Sequence, residues 1–224
     1  MKIHSFYPPQ KIRILNKKFT KDVEFKILDI GCGNGSPSLF KKYWPNSTYH
    51  AIDIEYYNLS DGDIKLIDKM FFVTPDMHYG ELKLEKYDAI VLNHTIEHMT
   101  NPYINLSYLC GLLNDNGLIY VAFPSEKSLS LPSAVGTLQF CDDSTHVFIP
   151  SVREVANIFL SNNCIVPYAG KSVDRVRFTI GFFIYPFQLL KKILGQPMRA
   201  KGLWYFLGFE SVCIGLKKSN NGNK

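Results

Sequence analysis

Two groups of residues are of types, and at spacings, that do chemistry. In Asn93-His94-Thr95-Ile96-Glu97-His98, two imidazoles and a carboxylate fall within five consecutive positions. Histidine as a residue type titrates near ~6.5, which suits proton acceptance at cellular pH. If the stretch is helical, His94 and His98 are four apart and share a face. His146 lies on a later loop and can reach the same mouth. His98, His146, Glu97 and His94 are therefore the candidate proton-transfer residues. Each has a structural alternative: packing or capping at a helix start for His98, a structural loop position for His146 and His94, and a favourable charge at a helix start for Glu97.

The second group is Gly31-Cys32-Gly33-Asn34-Gly35, with Asp29 before it and Asp53 twenty positions beyond Gly33. Glycines permit positive φ and let a ligand lie against bare backbone. A dinucleotide fingerprint has its third glycine one position later, where Ser36 stands here. Asp29 would repel a pyrophosphate on the loop but attract an ammonium or sulfonium group. Asp53 sits at the distance expected of a carboxylate that accepts from both ribose hydroxyls. The cofactor that fits is S-adenosylmethionine, which carries both cationic groups.

These groups need rigid elements beneath them. Apolar runs alternate with helical patterns, which predicts an α/β, Rossmann-like, doubly wound and mainly parallel sheet. Phe25–Ile30 reads as the first strand, with a helix from Ser36 that takes Pro37 in its first turn. Tyr49–Asp53, Met70–Val73 and Ala89–Asn93 follow as strands. Asn101-Pro102 opens a helix through Leu106, Leu109 and Leu113 that Asn116-Gly117 closes, and Leu118–Phe123 is a strand buried on both faces. Ser151 and Glu154 have capping-box spacing for a helix burying Val155, Ile158 and Phe159. Ser211–Leu216 is a late strand. The segment 168–208 is the least legible and reads as a lid or inserted helix pair.

The chain has 224 residues, 46% of them apolar and 20% charged, with 16 Phe and 13 Tyr. That excludes intrinsic disorder and predicts one domain over residues 1–218, with Ser219–Lys224 as an unstructured tail. The net charge of +5 is mild and its Lys and Arg are scattered, unlike the clustered basic face of a tight nucleic-acid binder. Five dispersed cysteines without a C-x-x-C pair suggest neither zinc knuckle nor disulfide framework. With no apolar leader pattern over Met1–Leu15, a cytoplasmic setting is expected. The uncharged run Phe178–Leu190 is thirteen residues, short of the ~20 that span a bilayer. Residues 178–194 read as packed helix, as a lid, or as a surface that leans on a membrane.

Leu28-Asp29-Ile30-Gly31-Cys32-Gly33-Asn34-Gly35 resembles the first motif of the class I S-adenosylmethionine-dependent methyltransferases. Pro75-Asp76-Met77 is similar to that family's adenine-flanking segment, and Tyr87–Val91 through Ile96-Glu97-His98-Met99 to its fourth strand and the stretch after it. Gly117–Pro124 resembles the fifth strand. The resemblance is close over residues 25–125 and looser over Asp143–Leu160, where it points to a branch acting on quinone precursors, sugars and other small acceptors. It implies a seven-stranded sheet with an antiparallel last strand. It also implies a cofactor site made of Asp29, Gly31, Cys32, Gly33, Gly35, Asp53, Ile54, Asp76, Met77 and Asn93. Relatives that methylate catechol-like precursors or small-RNA ends hold a divalent ion with Glu-x-x-Glu-His. Here His94 replaces the first Glu, so no metal is expected.

The expected activity is methyl transfer to oxygen or nitrogen of a small molecule, with a sugar, nucleotide-sugar or glycan intermediate as first acceptor. Two alternatives stay open. A nucleic-acid methyltransferase needs a basic groove or an Asn/Asp-Pro-Pro-Tyr motif, and Tyr7-Pro8-Pro9 lacks the leading Asn or Asp. A non-catalytic partner subunit of the same fold is the other.

Overall fold

The computed structural model describes residues 7–200 and 202–219. The first six residues of the N-terminal stretch, and the expected tail beyond Ser219, lie outside them. Seven strands form one sheet: β1 (Lys26–Ile30), β2 (Thr48–Asp53), β3 (Lys69–Phe72), β4 (Tyr87–Asn93), β5 (Leu113–Pro124), β6 (Cys164–Lys171) and β7 (Glu210–Lys217). Their order is β3-β2-β1-β4-β5-β7-β6, and β7 runs antiparallel to both neighbours while the other pairs are parallel. The helices are α1 (Gln10–Leu15), α2 (Ser36–Tyr43), α3 (Asp61–Ile64), α4 (Pro102–Gly111), α5 (Val152–Ser161), α6 (Arg175–Ile193) and α7 (Trp204–Leu207). The mainly parallel α/β sheet is the architecture the alternating pattern predicts.

Period-two alternation sorts the central strands into two cores. Leu28, Ile30, Ile90, Leu92, Ile119 and Val121 face one side, where Leu106, Leu109, Val155 and Phe159 of α4 and α5 cover them. Ile27, Ala51, Ala89, Val91 and Tyr120 face the other, beneath Phe40 and Trp44 at α2 and Ile12 and Leu15 of α1. Burying each such side chain contributes ~1.5–3 kcal/mol, which fixes the strand ends relative to one another. A third, smaller cluster joins Leu131 and Leu138 to Met198, Leu203 and Phe209 at one end of the sheet.

Three boundaries differ from the sequence reading. α4 ends at Gly111, and Leu113 already belongs to β5, where it pairs with Tyr87 before a bulge resumes the ladder at Ala89–Leu118. The bulge is held by Asn114, whose amide donates to Asp88 at 2.7 Å, and Asn116 takes the left-handed φ of 60°. The helix at Val152 forms, but Ser151 makes no side-chain cap, and Glu154 accepts instead from the Tyr103 hydroxyl. The segment 168–208 holds the end of an edge strand, β6, one long helix, α6, that buries only Gly181, and the four-residue α7 packed against it.

Candidate functional site

The glycine loop is a hinge at the carboxyl end of β1. Gly31 has φ 74° and donates its N–H to the Ile52 carbonyl at 2.8 Å. The Thr95 hydroxyl donates to the Ile30 carbonyl at 2.8 Å, so a Cβ on Gly31 would lie 2.2 Å from Thr95 Oγ1. Only glycine meets both demands. Thr95 thereby ties the loop after β4 to the loop after β1, and the sequence reading missed it. Gly35, also at φ 74°, turns the chain into α2, with Pro37 in its first turn.

Asp53 ends β2 beside this hinge. Its Oδ1 accepts from Ile54 N–H at 2.8 Å. Burial lifts its carboxyl above the usual carboxylate range against that hydrogen bond, and the Asp29 charge adds to the rise. Cys32 is fully buried and burial pushes its thiol up, whereas Ile54 is exposed. The segment after Asp53 folds back over the loop: Asn34 N–H donates to the Tyr57 carbonyl at 3.2 Å, and Asn58 donates to Asn34 at 3.0 Å. A Cβ on Gly33 would stand 2.8 Å from that carbonyl oxygen. Tyr57 therefore occupies the side of Gly33 on which a Cβ would stand.

Asp29 lies beneath the loop. The side chain is fully buried, and its Oδ2 accepts from Ser36 Oγ at 2.6 Å and Tyr49 Oη at 2.5 Å. Lys11 Nζ donates to the same Ser36 hydroxyl at 3.0 Å. Burial raises the Asp29 carboxyl's affinity for a proton, against Lys11 and the two hydrogen bonds. The carboxylate therefore braces the start of α2. Its Oδ1 is buried without a hydrogen-bond partner.

The motif after β4 is not one helix. His94 takes φ 55°, and only Ile96–His98 forms a short helical turn, so His94 and His98 do not share a helix face. His94 is clamped between two acids: Nε2 lies 2.6 Å from Glu210 Oε2 and Nδ1 lies 3.3 Å from Glu97 Oε1. Burial works to lower its pKa, but the two carboxylates override that and raise it to about 10. Trp204 and Phe209 enclose the ring. The two acids favour the protonated ring, which weighs against His94 as a base.

His98 and His146 are brought together, ring centroids 4.8 Å apart. His98 Nδ1 meets the Thr145 carbonyl at 3.1 Å, and His146 Nδ1 meets the Phe140 carbonyl at 2.7 Å. A carbonyl only accepts, and Thr145 Oγ1, 3.0 Å from His98 Nδ1, gives its own hydrogen to Asp143, so in a neutral ring Nδ1 of each carries the hydrogen and Nε2 the lone pair. His146 Nε2 lies 4.0 Å from Glu97 Oε1 and 3.9 Å from Asp143 Oδ2. Glu97 is fully buried and neither of its carboxyl oxygens has a hydrogen-bond partner, while its backbone carbonyl accepts from Val147 and Phe148 N–H. One atom each from Glu97, His98 and His146 falls within 4.8 Å of the others. Two imidazoles and a carboxylate form a donor set suited to a transition metal.

The remaining candidates frame this mouth. Asn93 ends β4, opposite Ala122. Asp76 is exposed and Met77 half-buried on the loop after β3, which is joined to the loop after β4 through Thr100 N–H and the Pro75 carbonyl at 3.0 Å. A groove of about 690 Å³ opens between Ser125–Lys127 and Pro150–Glu154, and no glycine-loop residue lines it. Glu210 and Asp143 escaped the sequence reading. Glu210 carried a signal, as a lone acid heading an apolar strand.

The sequence profile of a family described as "Methyltransferase domain" matches residues 3–166. Nothing among curated proteins matches the chain. Among solved structures, a putative methyltransferase from Haloferax volcanii, seen with its Trm112 activator, superposes with TM-score 0.62 at 11% identity, covering 92% of this chain and 88% of that one. A SAM-dependent methyltransferase from Archaeoglobus fulgidus gives TM-score 0.53 at 17% identity over 92% and 91%. The CurJ carbon methyltransferase gives 0.58 at 14% over 93% of this chain, which spans 52% of that one. The likenesses carry the fold and the profile carries the family, so the chain belongs to the class I S-adenosylmethionine-dependent methyltransferases, with S-adenosylmethionine as its cofactor.

Proposed function

We propose that the protein moves a methyl group to an oxygen or nitrogen of a small molecule, a sugar, nucleotide-sugar or glycan intermediate being the first acceptor class to test. The observation that supports this reading is the His98–His146 pair, each with Nδ1 fixed by a carbonyl, in loops tied by Thr95 to the Gly31 hinge. The bound cofactor supplies an electrophilic methyl on a sulfonium. Displacement then needs a nucleophile held in line and, for a hydroxyl acceptor, a base.

The chain's residues divide that work. Asp53 takes the ribose hydroxyls, and Gly31, Cys32, Gly33 and Gly35 give the backbone surface, once Tyr57 has moved aside. Ile54, Asp76, Met77 and Asn93 flank the nucleoside end. Asp29 holds α2 and the loop in register from below. His98, the more exposed of the pair, takes the acceptor's proton at Nε2, and Glu97 and His146 position it. The acceptor enters over Asn93–His98 and Ser125–Pro150. Scattered Lys and Arg do not favour nucleic acid as acceptor.

Calorimetry with S-adenosylmethionine, paired with mass-spectrometric detection of a one-methyl gain in a carbohydrate-rich cell extract, tests the reading. His98→Ala and His146→Ala should spare cofactor binding and suppress the methylated product. Loss of cofactor binding in either variant would overturn this division of roles. The three-residue donor set favours a second reading, in which Glu97, His98 and His146 hold a divalent transition ion that activates the acceptor. Equilibrium dialysis with zinc or manganese decides between them: stoichiometric binding lost in His98→Ala supports the ion, and no retained metal removes it.

A further inference from the structure

α6 is nineteen residues long and buries a single one, Gly181. A Cβ there would strike Phe206 and the Gly202 carbonyl, so this glycine is where the helix presses onto α7. Its outer side is a different matter. Phe178, Phe182, Phe183, Phe187, Leu190 and Ile193 are 43–73% exposed. At 3.6 residues per turn these six fall within one half of the circumference. Ile180, Ile184 and Tyr185, which are half-buried, lie on the other half. A contiguous apolar surface of this kind marks an interaction site rather than ordinary scatter.

The charges around that face select its occupant. Residues 175–209 contain six Lys or Arg and no Asp or Glu. By the same helical geometry Lys191 and Lys192, both exposed, fall just past opposite rims of the apolar half. Their ammonium groups can rise from the rims while the rings sink. A second copy of this chain would bring its own Lys191 and Lys192 to the contact, which disfavours self-association there. No helix among the described residues is long and apolar enough to cross a membrane, so α6 is suited to lie along a surface.

We propose that α6 is an interfacial helix that docks the protein on an anionic lipid bilayer, its Phe and Leu side entering the headgroup boundary and Lys191 and Lys192 meeting lipid phosphates. This goes beyond methyl transfer and does not depend on it. Co-sedimentation with vesicles of phosphatidylcholine alone, or with about a third phosphatidylglycerol, provides the test. Partitioning should be at least tenfold stronger on the anionic vesicles and should weaken with salt. The double variants F183S/F187S and K191E/K192E should each reduce it tenfold or more. Both should keep wild-type cofactor affinity by calorimetry, which certifies the fold and separates this inference from the catalytic one. Equal partitioning on the two vesicle types, or none, would overturn it. So would a concentration-dependent dimer in light scattering that F183S/F187S abolishes, since a second copy would then own the face.

Discussion

His94 shows how a residue of catalytic type can be committed to structure. A cation between Glu97 and Glu210 neutralises two carboxylates that would otherwise be buried together. His94→Ala should therefore cost about 3–5 kcal/mol, measured as a fall in urea midpoint, because it strands both acids. The pH dependence has a fixed sign. With its folded pKa raised to about 10, His94 contributes stability that is complete below the unfolded value near 6.5 and is lost as pH rises through about 10. Urea melts across that interval should decline in wild type, and the His94 contribution to the slope should vanish in His94→Ala. Two further substitutions address the cofactor. Asp53→Ala should weaken S-adenosylmethionine in calorimetry by about 1–3 kcal/mol through lost hydrogen bonds to the charged acceptor. Gly33→Ala places a methyl against the Tyr57 carbonyl and on the ligand's own path, so it should abolish binding altogether. The turns at Gly31 and Gly35 were legible because their demands are local. Glu210 was not readable as the partner of His94, from which it is separated by 116 positions.

Elements were legible where one pattern governed them. β1, β2 and β4 are short apolar runs ending in turn residues, and they fall where the pattern puts them. The end of α4 was misjudged because Leu113 continues the helical period of Leu106 and Leu109, while long-range pairing with Tyr87 claims it for the sheet. α6 hid for the opposite reason: an uncharged run reads as core, yet here most of it faces outward. The cover over the glycine loop depends on a smaller element. Ser60 caps α3 in a reciprocal capping box with Asp63, and Asp63 also accepts from Ser38 of α2. Ser60→Ala should cost about 1 kcal/mol in urea melts. It should also speed cofactor association in stopped-flow fluorescence, because the segment carrying Tyr57 then lifts more easily.

At the scale of the whole molecule, the loops after β1, β4 and β5 meet at the carboxyl ends of the parallel strands, where open α/β sheets bind ligands. That convergence followed from sequence, because a parallel sheet gives those loops no other place to go. The far edge did not follow: β6 alternates half-exposed residues, and its only neighbour in the sheet is the last strand. A chain stopped after Gly208 should lose the cooperative urea transition, since it unpairs β5 and β6 and removes the Glu210 carboxylate at once.

The insertion of β7 between β5 and β6 also sets a timetable. On a translating ribosome β5 is finished long before its antiparallel neighbour exists, and it stays a bare hydrogen-bonding edge while residues 125–209 are made. β6 emerges in that interval with nothing to join. Nascent-chain arrest measurements should therefore register a folding force once Lys217 has cleared the exit tunnel, because the eight-residue β7 is what joins β6 to β5.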